Sequence, residues 1–249
     1  MAGHSKWKQI KRKKAVTDAR RGASWTKVIR EITVAARAGG GDPGANPRLR
    51  TAIDAAKAVN MPGDNIDRAI KKGTGELEGA TYEEITYEGY GPGGAAIIIE
   101  ATTDNSTRTV AGIRHAFSRN GGNLGSANSV AWMFDRKGQI LVDAGRYPED
   151  STLEAALEAG AEDFIRDGDQ YLISTAVPTF HSVQDALRQR GIEAESAELA
   201  LVPKTTVRLE GKQAEQMLRL VEALEELDDV SKVFSNFDID ASQLAEASN

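Results

Sequence analysis

The chain has 249 residues, 40% hydrophobic and 27% charged, with a formal net charge of −6 and no cysteine. That length suits two or three domains rather than one small module, and the composition is that of a globular protein. Disulfides and thiolate metal sites are excluded, and no apolar run is longer than that of Ala95 to Ile99, which is far too short to span a membrane. The basic first residues are not followed by the apolar core of a signal peptide, so the expected location is cytoplasmic.

Charge is unevenly distributed. Residues 1–80 hold 17 bases and 8 acids, a balance of +9, and the remainder holds 14 bases and 29 acids, a balance of −15. Such a split suits a protein that meets a polyanion at one end and is kept in solution by the other. The positive charge begins in GHSKWKQIKRKK, where Lys6, Lys8, Lys11, Arg12, Lys13 and Lys14 lie within nine positions, and Arg20 and Arg21 extend the run. Release of condensed counterions gives nucleic acid a salt-dependent affinity for a segment of this kind. Trp7 adds a flat apolar surface whose stacking on an unpaired base would be worth roughly 1 to 3 kcal/mol. The plainer alternative is a solubilising tail anchored by Trp7.

From Ser24, a plausible N-cap, Trp25, Val28, Ile29, Ile32, Ala35 and Ala36 recur at helical spacing. Lys27, Arg30 and Arg37 fall on a stripe away from that apolar face and extend the positive surface onto folded structure. Gly39 to Gly41 stop the helix, and Asn46 with Pro47 cap the next, whose stripe is Leu49, Ile53, Ala56 and Val59. Pro62 ends it, a short helix with Ile66 and Ile70 runs to Gly73, and GTGELEG reads as a linker.

A strand with Tyr82, Ile85 and Tyr87 follows, then the β-rich AAIIIEATT, then a helix capped by Asp104 or Ser106 with Val110, Ile113 and Phe117 inward. From Ser129 the pattern predicts strands at SVAWMF and GQILVD, a helix over 151–159, a strand near DQYLIST, a helix over 179–190 and the strand AESAELALVP. Two strand–helix–strand units of this type describe a ferredoxin-like α+β domain. The closing KTTVRLEG, a helix with Met217, Leu220, Val221, Leu224 and Leu227 on one face, and SKVFSNFDI are too few to fold alone. They are expected to return to the earlier sheet. The predicted fold is therefore α+β: a basic arm and helical bundle in 1–80, a discontinuous α+β domain in 81–128 plus 204–240, a ferredoxin-like domain in 129–203, and a tail over 241–249.

No arrangement argues for catalysis. GYGPGG at Gly89 to Gly94 matches a dinucleotide-binding spacing, but it leads into a strand rather than a helix whose N-terminus would receive a pyrophosphate. His4, His115 and His181 are scattered with no metal-binding spacing, and neither a nucleophile elbow nor a Walker loop occurs. Glu225, Glu226, Asp228 and Asp229 read as a solvated helix end. No catalytic residue, metal or cofactor is expected.

Long ordered motifs resemble the YebC family: GHSKW at Gly3 to Trp7, TKVIREITVAAR at Thr26 to Arg37, NPRLR, RAIKKGTGE, YEGYGPGG, TDN, IRHAF, GGNLG and SVAWMF. That family includes bacterial proteins named as transcriptional regulators and a mitochondrial translational activator of cytochrome oxidase subunit I. The resemblance covers essentially the whole chain and implies three domains, no enzymatic activity and a role in gene expression, as DNA-binding regulators or as translation factors that relieve stalled ribosomes. Two departures stand out. Asn128 precedes Ser129 where a glycine is usual, a change the left-handed backbone tolerates, and TDNSTRT lacks a lysine. The missing lysine weakens the case for nucleic-acid contact by this loop, and for Asp104, Asn105 and Arg108 a helix cap with a local charge pair is as good a reading as a secondary contact.

The leading expectation is a nucleic-acid-binding regulator that grips phosphates through the arm and first helices. No helix offers base-reading side chains at its N-terminus, so the residues alone favour RNA, ribosomal RNA included, whereas the family's usual name favours DNA. A protein–protein adaptor docking through its acidic domains is the alternative. The oligomeric state is left open.

Overall fold

The computed structural model describes residues 18–240, with side chains from residue 25 onward. The chain forms two compact units, one of Ala131–Thr206 and the other of residues 18–130 with 207–240.

The larger unit begins with three helices, α1 (Asp18–Gly39), α2 (Pro47–Ala58) and α3 (Gly63–Thr74). Helix α1 already runs from Asp18, so Ser24 lies within it and is not its cap. The second boundary is the expected one: Asn46 has extended backbone, its Oδ1 accepts the Leu49 amide at 3.1 Å, and Pro47 occupies the first turn. Ile32, Ala35 and Ala36 pack on Leu49, Ala52, Ala56, Met61, Ile66 and Ala69 to form a small core. Gly73 lets α3 approach α1 closely, because a β-carbon there would lie 2.5 Å from the Thr33 carbonyl oxygen and 2.7 Å from Ala36 Cβ.

The sheet of this unit has the order β3-β1-β2-β9, built from β1 (Glu83–Tyr90), β2 (Ala96–Thr103), β3 (Asn123–Leu124) and β9 (Val230–Ser235), all antiparallel. The GYGPGG segment is the turn of the β1–β2 hairpin, with Gly93 and Gly94 at φ 68° and 77°. Helices α4 (Ser106–Arg119) and α7 (Gly211–Glu225) cover the face bearing Ile97, Ile99 and Val233, and Ile113, Phe117, Met217, Leu220, Val221 and Leu224 complete that core. A two-residue parallel pair, β8 (Val207–Arg208) with β10 (Phe237–Asp238), closes the far end. The cap of α4 is Asn105, not Asp104 or Ser106: its Oδ1 accepts the Arg108 amide at 3.0 Å.

The smaller unit runs β4 (Phe134–Asp143), α5 (Glu149–Glu158), β5 (Asp163–Asp167), β6 (Gln170–Thr175), α6 (Phe180–Gln189) and β7 (Ser196–Pro203). Its antiparallel order β5-β6-β4-β7 is the ferredoxin-like arrangement. Ile140, Val142, Tyr171 and Ile173 meet Ala155, Ala156, Phe180, Val183 and Leu187 in its core. Two elements differ from the sequence expectation. SVAWMF is not a separate strand, since Ala131–Met133 is a 3₁₀ turn and Phe134 opens the strand that continues through GQILVD. DFIRD supplies β5, an edge strand whose alternation is masked by its charges.

Both units are thus α+β with two helices on a four-stranded antiparallel sheet. The larger one places its hairpin at the centre of the sheet.

Candidate nucleic-acid interface

The candidate residues fall into three groups. Lys6, Trp7, Lys8, Lys11, Arg12, Lys13 and Lys14 lie outside the described residues, and Arg20 and Arg21 are carried by the first turns of α1. Lys27, Arg30 and Arg37 lie further along the same helix. Asp104, Asn105 and Arg108 lie where β2 passes into α4.

Lys27 and Arg30 turn towards the end of α7. Lys27 Nζ donates to the Glu225 carbonyl at 2.5 Å, and Arg30 Nη1 donates to the Asp228 carbonyl. Cations at a helix C-terminus satisfy carbonyls that lack intrahelical partners and oppose the negative end of the macrodipole. The same Arg30 nitrogen pairs with Asp229 Oδ1 at 2.9 Å, and its guanidinium sits 5.6 Å from the Tyr82 ring centroid. Arg37, in the last turn of α1, is exposed.

Asp229 is the centre of this arrangement, with a side chain only 7% exposed. Besides Arg30, it accepts from Arg108 Nε at 3.0 Å, from Arg108 Nη2 at 2.8 Å, and from Thr109 Oγ1 at 2.8 Å. Arg108 also holds Asp104 Oδ1 at 2.8 Å. Hydrogen bonding from Arg108 keeps the Asp104 carboxyl below the usual carboxylate range, and the bonds to Asp229 and then Asp104 raise the guanidinium further. These groups and Asp228, Gly112 and Leu227 line a cleft of about 410 Å³. Sequence reasoning placed Asp229 on a solvated helix end. The structure corrects this: it is a buried acceptor shared by α1 and α4.

A parallel arrangement sits at Arg48, at the start of α2. Its Nε donates to Glu31 Oε1 at 2.8 Å and its Nη2 to Glu84 Oε1 at 2.5 Å, which ties α1, α2 and β1 together. The Glu84 and then Glu31 bonds push its pKa upward. Nearby, the Arg50 guanidinium donates to the Pro43 and Gly44 carbonyls of its own loop. Both arginines near the N-terminus of α2 are therefore engaged within the protein.

The connection out of this sheet is held by Glu88. Its Oε1 accepts the Asn128 amide and its Oε2 the Val130 amide, each at 2.7 Å, while Tyr90 Oη donates to the Ser129 carbonyl at 3.0 Å. Asn128 has φ 63°, the left-handed backbone that asparagine tolerates. Among the described residues, no group of three or more His, Asp or Glu side chains is placed to hold a metal ion, and no helix is long and apolar enough to cross a membrane.

Residues 5–76 match the model of the TACO1/YebC protein N-terminal domain, and residues 82–237 match that of the TACO1/YebC second and third domain. A protein of Gemmatimonas aurantiaca named "Probable transcriptional regulatory protein" is 62% identical over 99% of this chain and 100% of its own length. One of the same name from Trichlorobacter lovleyi is 55% identical over 98% of both chains. The crystal structure of a conserved hypothetical protein from Aquifex aeolicus superposes with a TM-score of 0.84 at 48% identity, covering 91% of this chain and 93% of that one. On these matches, spanning both family models and nearly the whole length of its relatives, the chain belongs to the TACO1/YebC family.

Proposed function

We propose that this protein is a non-enzymatic, cytoplasmic nucleic-acid-binding regulator of gene expression whose phosphate contacts are made by Lys6, Lys8, Lys11, Arg12, Lys13 and Lys14, continued by Arg20, Arg21 and Arg37. The observation that carries this reading is the charge split: six of the excess positive charges of residues 1–80 belong to residues 1–17, which contain no acid. Trp7 stacks on a base. Lys27 and Arg30 serve as positioning residues, since their donors already meet the end of α7. The regulator names of the relatives support the same class.

Within this class, RNA is the favoured polymer, and a ribosome-associated translation factor the favoured form. The supporting observation is that Arg48 and Arg50, at the start of α2, are tied to Glu31, Glu84 and loop carbonyls, and Arg108, in the first turn of α4, to Asp104 and Asp229, rather than presented for base edges. Phosphate contact with stacking suits irregular single strands. Crosslinking in cells followed by sequencing separates ribosomal RNA from promoter DNA, and recovery of neither would favour a protein adaptor. In vitro, six phosphate contacts to a single strand give a log–log salt slope of about −4. Replacing these six basic residues by alanine should remove that contribution and leave a slope of about −2 from Arg20, Arg21 and Arg37, and unchanged affinity and slope would refute the reading.

A further inference from the structure

Within the larger unit, the helices α1–α3 and the sheet keep separate apolar cores. Ile32, Leu49 and Ala56 belong to one, Ile97, Phe117 and Leu220 to the other, and no described residue is common to both. Charged contacts span the gap: Lys27 on the Glu225 carbonyl, Arg30 on the Asp228 carbonyl and the Asp229 carboxylate, Arg30 over Tyr82, and Arg48 on Glu84. The covalent connection, residues 75–81, is exposed throughout and begins with Gly75 at φ 85°.

We propose that this charged seam is a salt-releasable hinge, on which residues 18–74 swing as one body about residues 75–81 while both cores remain folded. Apolar burial would hold the two together at any ionic strength. A charged seam is held by interactions whose reach falls from about 10 Å in 0.1 M salt to about 3 Å in 1 M. Its partly exposed member, the Arg48–Glu84 pair with side chains 40% and 51% exposed, is the first to be screened. Arg30, with a side chain 13% exposed, is the last, so the seam yields in order rather than at once. The body that moves is one in which bases outnumber acids. Hinge position thereby becomes a function of the ionic surroundings of the basic end of the chain.

The test uses the full chain, which has no cysteine, so Asp64→Cys and Lys212→Cys introduce two spin labels on exposed positions of α3 and α7. Raising KCl from about 50 mM to about 1 M should widen the label-to-label distance distribution about twofold, with longer separations appearing and the far-UV circular dichroism unchanged. Arg48→Gln, which leaves Asp229 intact, and Asp229→Asn should each reproduce part of that widening at low salt. A distribution indifferent to salt and to both substitutions would overturn the proposal. Widening accompanied by loss of the helical signal would overturn it as well, because the seam would then be part of the fold of the helices.

Discussion

Arg30 and Asp229 meet at 2.9 Å from opposite ends of the chain, the acid almost fully buried and the guanidinium nearly so. Removing the negative charge leaves a nearly buried cation facing the Asp228 carbonyl and the Tyr82 ring, while the Thr109 hydroxyl keeps its bonds to Thr103 Oγ1 and the Asn105 carbonyl. Asp229→Asn should lower unfolding stability by about 2 to 3 kcal/mol, less than a fully buried pair because the half-exposed Arg108 can return to water. Arg108→Gln, which removes a half-exposed guanidinium that already reaches water, should cost clearly less. Urea midpoints for the two variants should therefore differ clearly, with Asp229→Asn the lower.

The second expectation concerns Glu88. Its carboxylate is the acceptor for two amides of the loop that leaves the sheet, and a glutamine can offer only one oxygen to them. Glu88→Gln should destabilise by about 1 to 3 kcal/mol and hasten hydrogen exchange at Asn128 and Val130 while leaving exchange in β6 unaffected. Exchange mass spectrometry over peptides covering 125–130 reads this directly.

At Asn128 itself the positive φ sets the ranking of substitutions. Glycine should be neutral or slightly stabilising, whereas valine should cost about 1 to 2 kcal/mol, because a β-branched residue resists the left-handed region. Thermal unfolding of the two variants should move the midpoint in different directions or by clearly different amounts.

Helix approach gives a further test. A methyl group at Gly73 has no room against the Thr33 carbonyl and Ala36 Cβ, both backbone or near-backbone positions that cannot rotate away. Gly73→Ala, although it favours helix locally, should destabilise the three-helix core by about 1 to 3 kcal/mol. Loss of midpoint in a thermal melt followed at 222 nm would show it, and a gain would refute the close-packing argument.

Acid should loosen the Asp104–Arg108 pair in a defined direction. Because the folded-state pKa of Asp104 is depressed by Arg108, the pair contributes above the ordinary carboxylate range and is lost as pH falls through the depressed value. A carbon-detected NMR titration should place the Asp104 midpoint below that of a free aspartate, and Arg108→Gln should restore it.

Much of this architecture was legible in the sequence because it is written in local patterns. Asn46 with Pro47, the stripe through Leu49 and Ala56, and the helix carrying Met217 to Leu224 all follow from spacing and capping. The 3₁₀ turn at Ala131 was not legible, since Ser129 to Phe134 has strand composition whatever its backbone does. Edge strand β5 was hidden because Asp163, Arg166 and Asp167 break the apolar alternation. Asp229 was missed for a different reason. A carboxylate at the end of an acidic helix carries no local sign of burial, and its partners Arg30 and Arg108 become neighbours only after the sheet has closed.

The core shared by α4 and α7 has a consequence for synthesis. Ile97, Ile99, Ile113 and Phe117 are translated long before Met217, Leu220 and Val233, which must cover them, and the whole of Ala131–Thr206 emerges in between. During that interval the hairpin lacks its neighbour strand β9, and its apolar face is covered by α4 alone until α7 leaves the ribosome. The inserted unit, contiguous in sequence, can complete its own sheet first. The sheet that begins later in the chain can thus be complete first, and the closing step for the domain begun earlier is the arrival of α7 and β9.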